Sequence, residues 1–373
     1  MILPINANLT PTKSPLSQNH GQKKTQSKPN IAIIGAGMSG LSCATYLQNA
    51  GLKVTIFDKS RGPSGRMSTR VVTDENGNHW QCDHGAQYFT ARSAEFMTEV
   101  KRWQDVGVAE VWNPRLKVIE DGLCKERTTK SPVSLINRYV GTPRMTAPAN
   151  FLASQLKLVT STSINQIKNA EHGFILSSLE HGEISEVFDI VLFAIPAPQA
   201  AVLLQSINST LNEIANSVTM RGCWALMVRY AEPLAFPFDG AFVNGDTLSW
   251  VARDSAKPKR LKDAKNSMTE TWLLHGSMAW SETHIEDTAE GVTKDLLIAF
   301  NEIGKITNTP MPTPIIATAH RWRYADSVPL LNHGSVWANE AKLGLCGEWL
   351  NGGKVEGAWL SGLDLAKKVI KSI

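Results

Sequence analysis

The chain has 373 residues, of which 42% are hydrophobic and 19% are charged, a composition typical of a globular protein with one large or two moderate cores. Four lysines in the first thirty residues account for the formal net charge of +4, since Asp58 is the first acidic residue. The remainder is formally neutral, which argues against nucleic-acid binding, and no apolar run is long enough to span a membrane. Five separated cysteines without a CxxC pair argue against a disulfide framework or a metal site, so we expect a cytoplasmic protein.

The predicted elements begin after residues 1–29, a polar stretch that we expect to be a disordered tail, with a targeting peptide as the alternative. Residues 31–58 then predict a strand, a helix and a second, parallel strand. Later segments with continuous apolar character predict further buried strands at 189–195 and 342–346. Segments with alternating character predict an antiparallel sheet from 223–230, 248–252, 270–276 and 315–320. Apolar spacing typical of helices is found at 94–103, 285–303 and 356–370.

The turn between the first strand and the first helix carries a glycine-rich motif, Gly35-Ala36-Gly37-Met38-Ser39-Gly40. Gly35 permits a tight turn, Gly37 lets a pyrophosphate approach the backbone, and Gly40 lets the helix pack on the strand. The free N–H groups at the start of the helix favour bound phosphate. Asp58 ends the next strand, where an acid accepts hydrogen bonds from a ribose. Together these features predict a dinucleotide site, to which Met38 also belongs.

These patterns predict an α/β fold, in which a Rossmann-like nucleotide-binding domain carries an inserted substrate domain built on a mixed or antiparallel sheet. The nucleotide-binding domain is predicted over 30–90, 150–215 and 315–373, and the substrate domain over 91–149 and 216–314.

Two further segments resemble parts of known flavoproteins. The loop Lys59-Ser60-Arg61-Gly62-Pro63-Ser64-Gly65-Arg66 resembles the Arg-x-Gly-Gly-Arg segment of flavin amine oxidases, with Ser64 in place of the first glycine. Gly347-Glu348, followed by Gly352-Gly353-Lys354-Val355 and a helix, resembles a C-terminal flavin motif in which an acid contacts the ribityl chain. The resemblance implies that Lys59, Arg61, Gly65 and Arg66 border the cofactor as well. A second nucleotide motif favours FAD over NAD, and without a matching cysteine we expect non-covalent binding.

Taken together, five segments resemble the bacterial renalase-like FAD-dependent oxidoreductases. They are Asp58–Gly62, Asp83–Arg92, Ala194–Ala200, Ala319–Tyr324 and Val355–Gly362. The resemblance implies a fold like that of p-hydroxybenzoate hydroxylase. It also implies hydride transfer from 2- or 6-dihydro isomers of NAD(P)H to flavin N5, with molecular oxygen as the second partner and hydrogen peroxide as a product.

The resemblance also implies roles for individual residues. Cofactor contacts are expected from Ala86, Gln87, Ile164, Gly347, Glu348, Lys354 and Val355. Substrate contacts are expected from Gln87, Tyr88, Phe89, Thr90, Ala91, Cys223 and Lys354. Tyr88, His275 and Trp322 are the expected catalytic residues. For several of these residues a purely structural role is the alternative. Tyr88 and Phe89 would then pack in the core, and His275 would make a structural hydrogen bond. His84 would fix its loop rather than form a dyad with Asp83.

Two other functions fit the same motifs. One is a flavin amine oxidase or desaturase with a different small substrate, and the other is a non-enzymatic flavoprotein that uses the nucleotide only for folding. The oligomeric state is not indicated by the sequence.

Overall fold

The computed structural model describes residues 28–73, 79–127, 136–260 and 268–373, so the predicted tail lies outside the described residues apart from positions 28 and 29. In this part of the chain the helices are α1 (Met38–Asn49), α2 (Ala94–Asp105), α3 (Ala147–Ala153), α4 (Ala197–Leu204), α5 (Ser209–Asn216), α6 (Met278–Thr283), α7 (Ala289–Ile306) and α8 (Lys354–Ser372). The strands are β1 (Asn30–Ile34), β2 (Lys53–Phe57), β3 (Thr69–Thr73), β4 (His79–Asp83), β5 (Ala109–Trp112), β6 (Leu116–Glu120), β7 (Leu123–Glu126), β8 (Arg138–Gly141), β9 (Lys157–Val159), β10 (Ile164–Ala170), β11 (Gly173–Ser178), β12 (Gly182–Phe188), β13 (Ile190–Phe193), β14 (Thr219–Tyr230), β15 (Gly240–Val243), β16 (Leu248–Arg253), β17 (Glu270–Gly276), β18 (Ile316–Val328), β19 (Val336–Ala338) and β20 (Leu343–Leu345).

The first sheet has six strands in the order β19-β20-β13-β1-β2-β9, and β1 pairs in parallel with both β2 and β13. β20 and β9 extend the parallel arrangement, and β19 adds an antiparallel edge. The predicted strand–helix–strand unit and both later buried strands are therefore confirmed. Because parallel strands end at one edge, the segments that follow β1, β2, β13 and β20 meet there.

Each face of this sheet buries a separate core. Ile31 and Ile33 pack with α1 and α8, whereas Ala32 and Ile34 pack with α4 and the three-stranded sheet of β10, β11 and β12. The alternation along β1 follows from the two-residue period of a strand, and it explains why the whole segment is apolar.

The second sheet has seven strands in the order β18-β14-β17-β16-β15-β6-β7, and its pairing is antiparallel except between β15 and β6. One face packs on α7 through Trp272 and Leu274, and the other packs on the β3–β4 hairpin through Ala225 and Leu273. The four predicted alternating strands all belong to this sheet, as expected.

One predicted domain boundary, at residue 315, does not agree with the sheet pairing of β18. This strand falls inside the segment 315–373 predicted for the nucleotide-binding domain, yet it pairs with β14 along most of its length and so lies in the second sheet. It also extends eight residues beyond the predicted end at 320. Continued pairing with the long strand β14 supports this extension. Along the described residues, no helix combines the length and apolar character needed to cross a bilayer.

Candidate functional site

The glycine motif forms an open cradle between β1 and α1. Gly35 has a φ of +105°, and a Cβ at Gly40 would lie 2.0 Å from the Gly35 carbonyl oxygen, so neither position accepts a side chain. By contrast, a Cβ at Gly37 would meet nothing within 4 Å. No side chain caps the N-terminus of α1, so its first N–H groups remain available to an anion. This geometry fits a bound pyrophosphate, as the motif predicts.

Asp58 lies beside the cradle and joins the two loops there. Its Oδ2 accepts a hydrogen bond of 2.6 Å from Ala36 N, and its Oδ1 accepts one of 2.7 Å from Ser60 N. Thr162 N donates to the Asp58 carbonyl oxygen at 2.9 Å, which brings the start of β10, and with it Ile164, next to this acid. Lys59 and Arg61 are exposed. Their cofactor contacts, and those of Asp58 and Ile164, stay predictions.

The loop after Asp58 packs directly on the glycine cradle. Ser64 N donates to the Ala36 carbonyl oxygen at 3.0 Å, and a Cβ at Gly65 would lie 3.3 Å from the Gly37 Cα. Ser64 has a φ of +126°, a region that favours glycine. The backbone conformation therefore favours the glycine that the resemblance leads one to expect here, and Ser64 adopts that conformation despite its Cβ.

Arg66 and Glu348 form a two-point ion pair across the cradle edge. Arg66 donates from Nη1 to Oε1 of Glu348 at 2.8 Å and from Nη2 to Oε2 at 2.5 Å. Ser327 Oγ adds a bond of 3.2 Å to Oε1. The resemblance implies that Arg66 borders the cofactor and that Glu348 contacts the ribityl chain. In the structure each also fixes the other, because the bidentate geometry restricts both side chains.

The C-terminal motif makes a sharp turn into α8. Gly352, Gly353 and Lys354 have φ values of +67°, +76° and +64°, and Lys354 is exposed while Val355 is partly buried. No side chain caps α8, so the N–H groups of its first turn are available at the same sheet edge as those of α1. An uncapped helix N-terminus favours negative charge nearby, and the contact of this motif with a flavin ring stays a prediction.

The segment Asp83–Gln87 lies flat against the loop of Arg66. Ala86 N donates to the Arg66 carbonyl oxygen at 2.9 Å, and a Cβ at Gly85 would lie only 2.0 Å from that same oxygen. Gly85 is therefore needed for close approach of two backbones. Contacts from Gly37 through Gly65 and Arg66 to Ala86 form a continuous track, which we call the cradle track.

Gln87 uses its side chain to hold its own segment. Its Nε2 donates to the carbonyl oxygens of Asp83 at 2.6 Å and Gly85 at 3.1 Å, while its Oε1 accepts from Lys257 Nζ at 3.2 Å. The residue is 7% exposed. Both ends of the amide are thus engaged inside the protein, and contact with a cofactor or substrate is left mainly to the backbone.

Beneath the segment lies a buried charge cluster, defined here as Asp83, Asp254, Lys257 and Arg260. Lys257 donates to Asp83 at 3.0 Å and to Asp254 at 2.7 Å, and Arg260 also pairs with Asp83. Burial opposes ionisation of Asp83, but Lys257 and Arg260 more than offset it and hold the pKa of this carboxyl below its usual range. Burial, together with Asp83, raises the pKa of Asp254.

A row of side chains on the second sheet covers the same segment. Trp250, His275, Ala225 and His320 are register neighbours on β16, β17, β14 and β18. Burial lowers the pKa of His275 and of His320 to about 4, so both are neutral at pH 7. The row therefore presents a largely uncharged surface to the cradle track.

His275 and Trp322, two expected catalytic residues, converge on one backbone carbonyl. Trp322 Nε1 donates to the His84 carbonyl oxygen at 2.8 Å, and His275 Nε2 lies 3.5 Å from it. This contact of His275 therefore supports the alternative of a structural hydrogen bond. Asp83 turns its carboxylate to Lys257 and Arg260 rather than to His84, so the structure does not support the dyad, and the loop-fixing role of His84 stays a prediction.

The other predicted substrate residues separate into two groups. Phe89 is 3% exposed and packs against Phe96, Trp103 and Tyr139, so its ring belongs to the core and not to a substrate surface. Tyr88 is partly buried, with its ring centroid 6.0 Å from that of Trp112 and 5.9 Å from that of Trp250. Thr90 and Ala91 are also partly buried.

Cys223 lies opposite Trp322 on the neighbouring strand. Its Sγ donates to the Gly276 carbonyl oxygen at 3.7 Å, and burial raises its pKa to about 12. It is therefore a protonated thiol and no nucleophile.

Sequence reasoning missed the buried cluster and His320. The only local signal is a spacing of three residues between Asp254, Lys257 and Arg260, directly after a predicted strand. This spacing weakly indicates that the three charged side chains lie on the same side of the chain. Nothing local shows that their partner is Asp83, more than 170 residues earlier.

Comparison with known families matches residues 33–102 to the NAD(P)-binding Rossmann-like domain. The L-amino-acid oxidase of Daboia russelii is 52% identical over 50 residues, which are 13% of this chain and 10% of that protein. Hydroxysqualene dehydroxylase of Sinorhizobium fredii is 46% identical over 55 residues, 13% of each chain. The similarity thus spans only about a tenth of the length of these curated relatives.

Solved structures resemble the chain over most of its length. Putrescine oxidase bound to putrescine has a TM-score of 0.67 at 13% identity, covering 92% of this chain and 99% of that one. Reduced UDP-galactopyranose mutase has a TM-score of 0.68 at 12% identity, covering 92% and 94%. These matches confirm the mixed α/β fold with a Rossmann-like domain. At such identities they show the fold alone, and the two named proteins differ in activity.

Proposed function

We propose that the protein is an FAD-dependent oxidase of dihydronicotinamide isomers, converting 2- or 6-dihydroNAD(P) to NAD(P)+ with oxygen as the final acceptor and hydrogen peroxide as the product. The observation that carries the proposal is the cradle track. It joins a phosphate-binding loop to the segment Asp83–Gln87 beneath the second sheet, and so links a place for a dinucleotide to a place for a substrate.

FAD fits the residues at this edge of the first sheet. The residues that would hold it are Gly35, Gly37, Met38, Gly40, Asp58, Arg66, Ala86, Glu348 and Val355. Bound FAD supplies a two-electron acceptor at N5 of its ring. The uncapped N-terminus of α8 would stabilise negative charge on the ring edge, by about 1 kcal/mol.

Three titratable groups near the segment are engaged by other parts of the protein, which supports hydride transfer from a dihydropyridine. Such a donor becomes an aromatic pyridinium without losing a proton, so no general base is needed. Asp83, Lys257 and His275 are all engaged by other protein groups. The ring of Tyr88, beside Trp112 and Trp250, offers the aromatic surface that a planar pyridine favours.

A flavin amine oxidase is the second candidate, and the same aromatic group supports it. The Arg138 guanidinium lies 5.4 Å from the Tyr88 ring centroid, and Lys257 Nζ lies 5.8 Å from that of Trp112. Aromatic rings attract ammonium groups, which is the property that these two contacts show. The short similarity to L-amino-acid oxidase points in the same direction.

Anaerobic stopped-flow mixing separates these functions. The purified protein is first checked for the absorption of bound flavin and then mixed with 6-dihydroNAD, with NADH as the control donor and putrescine as a representative amine. We expect rapid bleaching of the flavin by 6-dihydroNAD, with NADH at least tenfold slower. Bleaching by the amine alone would favour the second candidate. Flavin that no donor reduces would favour the non-enzymatic alternative.

A further inference from the structure

The buried charge cluster has no part in the proposed chemistry, yet its arrangement is unusually complete. The Lys257 ammonium is fully buried, and its three N–H bonds match three acceptors, on Asp83, Gln87 and Asp254. An ammonium group is costly to bury, and buried ion clusters stabilise proteins little compared with apolar packing. A role in fixing geometry accounts for this arrangement better than a role in overall stability.

The geometry that Lys257 fixes is that of Gln87. A cation beside Oε1 forces the amide oxygen toward Lys257, so that Nε2 must face the carbonyl oxygens of Asp83 and Gly85. With the amide held this way, residues 83–87 are closed into a compact turn. The two carbonyl acceptors favour the same orientation, and Lys257 is the partner described for Oε1.

The compact turn reaches the dinucleotide cradle directly. Its Ala86 N and its Gly85 backbone lie against the Arg66 carbonyl oxygen, and the adjoining Gly65 touches Gly37. Lys257 follows β16 of the second sheet, within a loop that begins with the short 3-10 helix Asp254–Ala256. A residue that follows a strand of the second sheet therefore contacts the segment that carries Ala86, which is one end of the cradle track.

We propose that Lys257 is a positioning residue, which orients the Gln87 amide and thereby holds the segment Asp83–Gln87 against Arg66 at the dinucleotide site. The consequence for cofactor binding rests on the proposed function. The geometric part does not, because the contacts lie within the chain.

The test is a double-mutant cycle in an Asp254→Asn background. Removing the Asp254 charge keeps the buried cluster neutral when Lys257 is replaced, because Arg260 still pairs with Asp83. Lys257→Met and Gln87→Met are introduced singly and together. Hydrogen exchange of the 83–87 amides is measured in the protein stripped of cofactor, and FAD dissociation constants are measured in parallel. Lys259→Met is the matched control, since Lys259 is 60% exposed and pairs with Glu110 at the surface.

We expect Lys257→Met to speed exchange in the segment and to weaken FAD binding about tenfold, with the far-UV circular dichroism unchanged. Once Gln87 is Met, Lys257→Met should have a much smaller effect on both measurements, because only its direct bond to Asp83 still reaches the segment. Additive effects of the two substitutions, or unchanged exchange after Lys257→Met, would overturn the proposal. Exchange requires neither FAD nor substrate, so a failure of the proposed oxidase activity is recognised separately.

Discussion

At the scale of single residues, Ser64 has a backbone conformation that is unfavourable for a residue with a Cβ. Its φ of +126° costs a residue with a Cβ about 1–3 kcal/mol relative to a relaxed conformation. We predict that Ser64→Gly raises the free energy of unfolding by about 1 kcal/mol, since the relief exceeds the added entropy of glycine in the unfolded chain. A urea titration followed by circular dichroism measures this change.

Ser60→Gly is the control in the same loop. Ser60 is exposed and has no positive φ, so glycine there should lower the free energy of unfolding by a few tenths of a kcal/mol up to about 1 kcal/mol. A Ser64→Gly protein that is less stable than the wild type would show that packing of the buried serine matters more than its backbone strain.

Buried histidines predict how stability depends on pH. Burial lowers the pKa of His84 to about 3 and of His275 to about 4, below the ordinary value of 6.5. As the pH falls below about 6.5 the unfolded chain takes up protons that the folded protein does not, so stability falls between about pH 6.5 and pH 4. The loss for His275 approaches about 1.4 kcal/mol per pH unit.

Urea unfolding at pH 7 and pH 5 measures the effect. His275→Gln, which retains a donor for the His84 carbonyl oxygen, should make the difference between the two pH values smaller. His172→Gln replaces an exposed histidine and should leave the difference unchanged. An equal difference in wild type and His275→Gln would mean that His275 does not contribute to the pH dependence.

At the scale of elements, the contact between α1 and α8 depends on Gly362. A Cβ there would lie 2.0 Å from the Ser39 carbonyl oxygen in the first turn of α1. We predict that Gly362→Ala lowers the free energy of unfolding by about 2 kcal/mol, because the two helix backbones must separate. Separation also displaces the start of α1, so FAD binding should weaken in the same variant.

Gly291→Ala, in the first turn of α7, is the matched control. Its new Cβ would be 3.4 Å from Thr288 Oγ1, an ordinary contact, so higher helix propensity should raise stability by about 0.5–1 kcal/mol. Opposite signs for two identical substitutions would tie the effect to the helix contact. Equal signs would contradict it.

The same scale shows what the sequence could predict. Periodicity predicted β1, β2, β13, β20, the main strands of the second sheet and the helices α1, α2, α7 and α8, and a motif at a strand end predicted the glycine cradle, since both signals are local. Trp322 donates to the backbone carbonyl of His84, and Lys257 pairs with Asp83. Both contacts depend on how the β3–β4 hairpin packs on the second sheet, whose strands lie far away in the sequence. Periodicity indicates which face a side chain occupies and does not indicate what it meets there.

At the scale of the whole molecule, the two sheets share one core. Trp250 and Ala252 of the second sheet pack in the same cluster as Ile33, Leu41 and Leu363 from the first sheet and its helices. We therefore predict a single unfolding transition, in which tryptophan fluorescence and far-UV circular dichroism give coincident curves.

Saturation with FAD tests the coupling between the sheets. At a free concentration one hundred times its dissociation constant, FAD should stabilise the whole molecule by about 2.7 kcal/mol and shift both curves together, because folded protein alone binds it. Tryptophan fluorescence, to which Trp272 on the far face of the second sheet contributes, would then respond to a ligand bound at the first sheet. Two separate transitions, with only one shifted by FAD, would show that the sheets unfold independently and that the shared core does not couple them.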